Sequence, residues 1–261
     1  MPEQKRILNL VPSKGTETDW SYDDAVGGGM VRSRVKLPES HDLRAAWWKV
    51  GDQGFTGSCV GWATADGVGR HVLTEAGKIK RTQRLSPRFI WMASKERDEF
   101  RSHPTSFVEE AGTSLKAAMD VARKYGFALE KQLPFEVDTA MWLGAEQALF
   151  ASAARRRISY VNLHLDLNRW KSWLVTKGPI LAGLWVDDNW NYLGPNGLLD
   201  KWNSASAYGG HAVTIVGYRK DGRFIVRNSW GTGWGHKGFA YVTPKYLRAG
   251  FFPESYGASV D

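Results

Sequence analysis

The 261-residue sequence holds one cysteine, Cys59. That scarcity excludes an intramolecular disulfide and a cysteine-rich zinc site. Long apolar runs are missing as well. No stretch approaches the roughly 20 consecutive apolar residues of a membrane span, and Met1-Pro2-Glu3-Gln4-Lys5-Arg6 leads into no apolar signal core. The expectations are a soluble chain, no membrane partner and a cytoplasmic location. Basic clusters are sparse despite a net charge of +8, the densest run being Arg155-Arg156-Arg157. With no zinc-finger, RNA-recognition or basic-heptad pattern beside it, nucleic acid is not an expected partner. What the chain has in quantity is apolar mass, 43% hydrophobic residues with 13 Trp, enough to offset chain entropy over most of its length.

Residues 1–36 read as a polar, irregular N-terminal extension, with Glu17, Asp19, Asp23 and Asp24 around Trp20 and Tyr22, then Gly27-Gly28-Gly29. From Leu37 onward no linker or repeat intervenes, so 37–261 is read as one unit. Its first part, about 37–155, is helical in period. Small and apolar residues run from Cys59 to a stop at Gly77, Ser86-Pro87 opens a second helix, and Leu115, Ala118, Met119 and Ala122 mark a third, capped by Thr113 or Ser114 and ended by Gly126. A fourth is expected over 138–154. From about 156 to 250 the pattern turns to short Val-, Ile- and aromatic-rich runs at 157–163, 180–186, 211–218, 223–228 and 238–242, with one helix through Leu167, Trp170 and Leu174, and Asp221-Gly222 as a hairpin turn. Helices first and strands later predict an α+β fold of two lobes with a cleft between them.

A thiol becomes a nucleophile where its thiolate is stabilised, and a helix N-terminus with a nearby imidazolium does that. Cys59 follows a Gly-rich loop and begins an apolar periodic run, which supplies the first condition. Three blocks stand in order along the chain: QGFTGSCVGW from Gln53 to Trp62, HAVTIVGY from His211 after Gly209-Gly210, and NSWGTGWG from Asn228. Together they resemble the papain family of cysteine peptidases, and Leu37-Pro38-Glu39-Ser40-His41-Asp42-Leu43-Arg44 is similar to that family's mature amino terminus. The gap of 152 residues between Cys59 and His211 lies slightly beyond the family's range of about 130–150, an excess attributed to the loop from Asp187 to Gly210. The glycine run Gly233-x-Gly235-x-x-Gly238 matches a dinucleotide fingerprint by letter only, because it precedes a strand instead of opening a helix.

The resemblance implies a helical lobe and an antiparallel, β-barrel-like lobe flanking an active-site cleft. It also implies roles. Cys59 is the expected nucleophile, His211 the acid and base, and Asn228 the group that orients the ring. Gln53 is the expected oxyanion donor beside the Cys59 N–H, a contribution on the order of 3 kcal/mol. Trp230 is expected to shield the His211–Asn228 hydrogen bond, and Gly57, Ser58, Ala111, Gly112, Gly210 and Trp230 to contact substrate. Two departures stand out: Val60 replaces the family's usual Trp after the nucleophile, and Thr56 replaces a disulfide-forming cysteine. The expected activity is hydrolysis of peptide bonds in protein or peptide substrates through a Cys59 thioester, with no metal or organic cofactor. A transpeptidase or ligase using the same intermediate, or a non-catalytic peptide-binding relative, are the alternatives. The extension 1–36 is expected to lie in cis over the groove, with Trp20 and Tyr22 as its anchors.

Overall fold

Where the apolar residues recur every third or fourth position the chain winds into helices, and where they run without interruption it enters a sheet covered on both sides. The computed structural model describes residues 6–98, 112–135 and 147–260. In chain order the regular elements are α1 (Tyr22–Gly27), β1 (His41–Asp42), α2 (Cys59–Trp62), a π-helical segment (Ala63–Gly69), α3 (Arg70–Glu75), α4 (Pro87–Arg97), α5 (Leu115–Lys124), α6 (Gln147–Ala153), β2 (Ser159–Asn162), α7 (Leu167–Thr176), β3 (Ile180–Val186), β4 (Leu198–Leu199), β5 (Gly209–Tyr218), β6 (Phe224–Arg227), β7 (Phe239–Val242), α8 (Pro244–Ala249) and β8 (Phe251–Ser259).

The local signals explain most boundaries. Ser86 caps α4 through the Phe89 N–H with Pro87 at the first helical position, and Ser114, not Thr113, caps α5 through the Ala117 N–H. Gly77 and Gly126 follow their helices at positive φ, 68° and 82°. Of the helix expected over 138–154, residues 138–146 lie outside the described residues, and α6 covers Gln147–Ala153.

The sheet runs in the order β2-β8-β3-β5-β6-β7-β4, with β1 pairing to β5. Its pairings are antiparallel except for β4 with β7. One face closes a core of Val60, Leu73, Phe89, Leu115, Met119 and Phe127, supplied by α2–α5 and the loops between them. The other closes a second core around Trp170, Trp173, Trp190, Phe224 and Tyr246. Every residue of β5 is buried, which is why the strand carries no carboxylate, lysine or arginine and is apolar around His211 and Thr214.

Two expectations need correction. The strand-rich part does not stop near residue 250: β8 runs to Ser259 as an interior strand between β2 and β3. Residues 1–36 are not wholly irregular either. Ser21 and Asp24 form a reciprocal capping box on α1, and Tyr22, Ala25 and Val31 belong to the second core.

Candidate active site

Cys59 is the first residue of α2, reached through the loop 53–58. His211 is the third residue of β5, and Asn228 follows the last residue of β6. The turn at Asp221-Gly222 folds these strands together, with Thr214 opposite Arg227 and Gly222 at φ 83°. As a result the His211 ring nitrogen Nε2 lies 2.7 Å from Asn228 Oδ1. The Ser229 backbone N–H donates to the same oxygen at 2.8 Å, which fixes the amide's orientation. An amide oxygen only accepts, so His211 carries its proton on Nε2 and leaves Nδ1 as the basic nitrogen. Nδ1 is buried and makes no hydrogen bond among the described residues.

The backbone N–H groups of Ala212, Val60 and Cys59 itself favour the Cys59 thiolate. The first places it beside the residue that follows His211, and the other two are the free donors of a helix's first turn. Cys59, His211, Asn228 and Gln53 are all within 1% of full burial. Burial dominates their acid–base state: it pushes the Cys59 thiol up to about 11 against the pull of the three N–H groups. It also takes His211 down to about 4, against the hydrogen bond its ring donates to Asn228 and with help from the nearby Arg6 charge. Burial in the closed site therefore works against the charged pair that the helix N-terminus favours, and towards the neutral thiol and imidazole.

Gln53 is locked between the two halves of the site. Its Oε1 accepts the Ser229 hydroxyl at 2.7 Å, its backbone N–H donates to the Ser229 carbonyl at 2.8 Å, and its Nε2 donates to the Thr56 carbonyl at 2.8 Å. One Nε2 hydrogen remains after that bond. Gly57 and Ser58 are buried in the same loop, Ser58 Oγ lying 2.6 Å from Thr56 Oγ1. Trp230 packs 4.9 Å from the His211 ring, centroid to centroid. Trp190, which sequence reasoning missed, approaches edge-on at 5.8 Å. Its indole N–H donates to the Tyr246 hydroxyl, which donates in turn to the buried Asp187, so the loop after β3 is tied down over the histidine.

The groove beside these residues is filled by the chain's own N-terminal segment. The Leu10 N–H donates to the Gly210 carbonyl at 3.2 Å, and the Val11 N–H to the Thr113 carbonyl at 3.3 Å. A Cβ placed on Gly112 would lie 1.9 Å from the Asn9 carbonyl oxygen, and one on Gly209 would lie 2.5 Å from the Leu8 Cβ. Leu10 itself is buried, its side chain against Gly183. Arg6 lies 5.6 Å over the Trp230 ring and 4.9 Å over that of Phe55, with Asp52 and the Gly54 carbonyl as its polar partners. Gly112 and Gly210 thus lie against the chain's own segment Leu8–Val11, while Ala111 falls outside the described residues.

The covering residues are Arg6–Val11, not the Trp20 and Tyr22 expected from their aromatic character. Trp20 is 66% exposed, and Tyr22 packs into the second core beside Arg169. The acids around them tie the extension down instead: Asp19 pairs with Lys116 and receives the Tyr256 hydroxyl, and Asp23 pairs with Arg169. No signal in the sequence marks Arg6–Val11, which are held by main-chain bonds, the buried Leu10 and the contacts of the Arg6 side chain.

A profile of papain family cysteine proteases matches residues 37–249. An uncharacterized peptidase C1-like protein of Acanthamoeba polyphaga mimivirus is 26% identical over 208 residues, and the match covers 75% of this chain and 64% of that protein's length. Among solved structures, xylellain, a cysteine protease from Xylella fastidiosa, superposes with a TM-score of 0.81 at 20% identity, covering 100% of this chain and 98% of that one. Procathepsin B S9 from Trypanosoma congolense superposes at 0.72 with 18% identity, over 97% of this chain and 87% of that one. Those two likenesses concern the fold, which is the papain-like α+β arrangement. With the family profile spanning most of the sequence, the chain belongs to the papain family of cysteine proteases, a family of peptide-bond hydrolases.

Proposed function

We propose that this chain cleaves peptide bonds through a thioester on Cys59. The thiol proton passes to His211 Nδ1 as the sulfur attacks the peptide carbonyl, and the same nitrogen returns it to the leaving amine. Water then adds to the thioester, giving its proton to Nδ1, and the carboxylic acid departs as the thiol is regenerated. Asn228 holds the ring through its Nε2–H, while the Cys59 N–H and the remaining Nε2 hydrogen of Gln53 receive the oxyanion. The single observation behind this reading is the 2.7 Å contact of His211 Nε2 with an Asn228 oxygen already committed as acceptor, which leaves Nδ1 available for the thiol.

The substrate in this reading is an extended polypeptide laid between Gly112 and Gly210, where the chain's own residues 8–11 now lie. The same contacts support a latent form. Where Arg6–Val11 lie in place they keep water and substrate from the thiol, and turnover comes from molecules they have left, in which the rehydrated pair lets the proton move from sulfur to imidazole. The test is cleavage of a mixed peptide pool by the wild-type chain, Cys59→Ala and His211→Ala, read by mass spectrometry. The expected result is loss of turnover in both variants and an acyl adduct on Cys59 in the wild type; turnover surviving in Cys59→Ala rejects the reading.

A further inference from the structure

Below the site, a carboxylate sits where the chemistry proposed above makes no use of it. Asp66 belongs to the π-helical segment that continues the Cys59 helix and is fully buried. Three guanidinium groups converge on it. Arg70 Nη1 and Arg84 Nη2 meet Oδ1 at 3.2 and 2.9 Å, and Arg227 Nη2 meets Oδ2 at 2.6 Å. Burial alone would push this carboxyl up, but the charges of Arg227, Arg84 and Arg70 outweigh burial and hold it below the usual carboxylate range. Arg70 and Arg84 come from the same helical half of the molecule as Asp66. Arg227 comes from β6, one residue before Asn228.

The Arg227 contact is part of a seam. Its Nη2 also donates to the Lys49 carbonyl at 2.8 Å, and its guanidinium lies 5.0 Å over the Trp48 ring. The Trp48 indole N–H donates to the Asp66 carbonyl at 2.7 Å. On β5, three residues beyond His211, the Thr214 hydroxyl donates to the Ala63 carbonyl at 3.2 Å. A Cβ on Gly67 would lie 2.1 Å from the Thr214 hydroxyl oxygen, so the π-helical segment and the histidine strand are in close approach. The widened π turn places its backbone and Asp66 against the two strands that carry the His211–Asn228 pair.

A buried ion pair is weak evidence for stability, because desolvating both charges takes back most of the attraction, and apolar residues of equal volume often do as well. Such a pair does specify geometry. We propose that Asp66 and Arg227 are positioning residues: their ion pair sets the distance between the Cys59 helix and Asn228, and through Asn228 the aim of His211 Nδ1 at the sulfur. The inference rests on the peptidase reading above and deepens it. Arg227 acts through its own peptide link to Asn228, whose Oδ1 holds the imidazole, so a displaced guanidinium moves the base and not the substrate groove.

The experiment compares the full chain with Arg227→Lys, Arg227→Met, Asp66→Asn and Arg84→Ala, after circular dichroism confirms folding. Peptide-pool cleavage gives kcat and KM, and iodoacetamide labelling of Cys59 gives a pH profile. For Arg227→Met and Asp66→Asn the expected result is a fall in kcat of tenfold or more with KM within threefold. Arg227→Lys keeps more kcat than Arg227→Met, and the acid-side inflection of labelling moves in all three. Arg84→Ala, which touches the same Asp66 oxygen from the same lobe and is 38% exposed, stays within threefold in kcat. The proposal is overturned by Arg227 variants with wild-type kcat and pH profile, by Arg84→Ala matching them, or by Arg227→Lys failing to fold while Arg84→Ala folds. Turnover that survives in Cys59→Ala rejects the peptidase reading itself, whereas wild-type behaviour of the Arg227 variants beside an inactive Cys59→Ala rejects only the positioning role.

Discussion

Leu10 and Gly210 are joined through their main chains, the Leu10 N–H on the Gly210 carbonyl at 3.2 Å, one residue from the histidine of the site. That bond and the buried Leu10 side chain are the inner end of the N-terminal cover. Replacing Leu10 by Asp puts an unpaired charge into this contact. We expect Cys59 in Leu10→Asp to react with iodoacetamide at least tenfold faster at neutral pH, with its thiol titrating well below the value of about 11 in the covered site. An unchanged labelling rate would count against the cover. Deleting 1–36 is a poorer test, because it also strips Tyr22, Ala25 and Val31 from the second core.

Gly112 offers an independent route to the same effect. With only 1.9 Å between an added Cβ and the Asn9 carbonyl, Gly112→Ala cannot coexist with the covering segment in its present place. Faster labelling of Cys59 is the expected outcome, and protection from labelling equal to that of the wild type would refute it. The small reagent matters here, since the same methyl group narrows the groove for a peptide.

Acid sensitivity follows from two buried histidines. His211 and His71 are both held down to about 4 by burial, His71 further by the nearby His41, with its ring 4.7 Å from that of Trp48. A histidine whose folded pKa is depressed binds fewer protons than it does in the unfolded chain. Its stabilising neutrality is complete above about pH 6.5 and is lost as the pH falls towards 4, at about 1.4 kcal/mol per pH unit for each group. Urea unfolding at pH 7 and pH 4.5 should show this loss, and His71→Leu should flatten the slope by roughly one group's share. Equal slopes in the two proteins would exclude His71 as a contributor.

Packing against the interior strand β8 gives a prediction about stability alone. A Cβ on Gly257 of β8 would lie 2.1 Å from Trp173 Cε2 in the second core. Gly257→Ala is expected to destabilise the fold by about 1–3 kcal/mol, the usual scale for overpacking. The unfolding midpoint in urea should fall at constant m-value, and a wild-type midpoint would mean that the indole has room to shift.

Most elements, and the turn that brings His211 to Asn228, were legible because their signals are local. Ser86-Pro87, Ser114, Gly77 and Gly126 mark helix ends by their own backbone chemistry, and Asp221-Gly222 marks the turn that brings β5 against β6. β8 escaped notice because Pro253 and Gly257 read as breakers, and its strand state depends on β2 and β3 on either side. The pull of Cys59 and His211 towards neutrality was hidden for a similar reason: the helix N-terminus is written in the sequence, but the burial that outweighs it comes from residues far along the chain. Asp66 and Arg227 look like ordinary surface charges until the fold places them face to face.

The strand order also bears on how the molecule is made. Because β8 lies between β2 and β3, ribosomal synthesis must reach residues 251–259 before those two strands find their shared neighbour. Until then both expose unpaired edges, and β3 cannot present β5 in a finished sheet. The sulfur of Cys59 thus emerges from the ribosome long before the His211 imidazole has a finished sheet behind it.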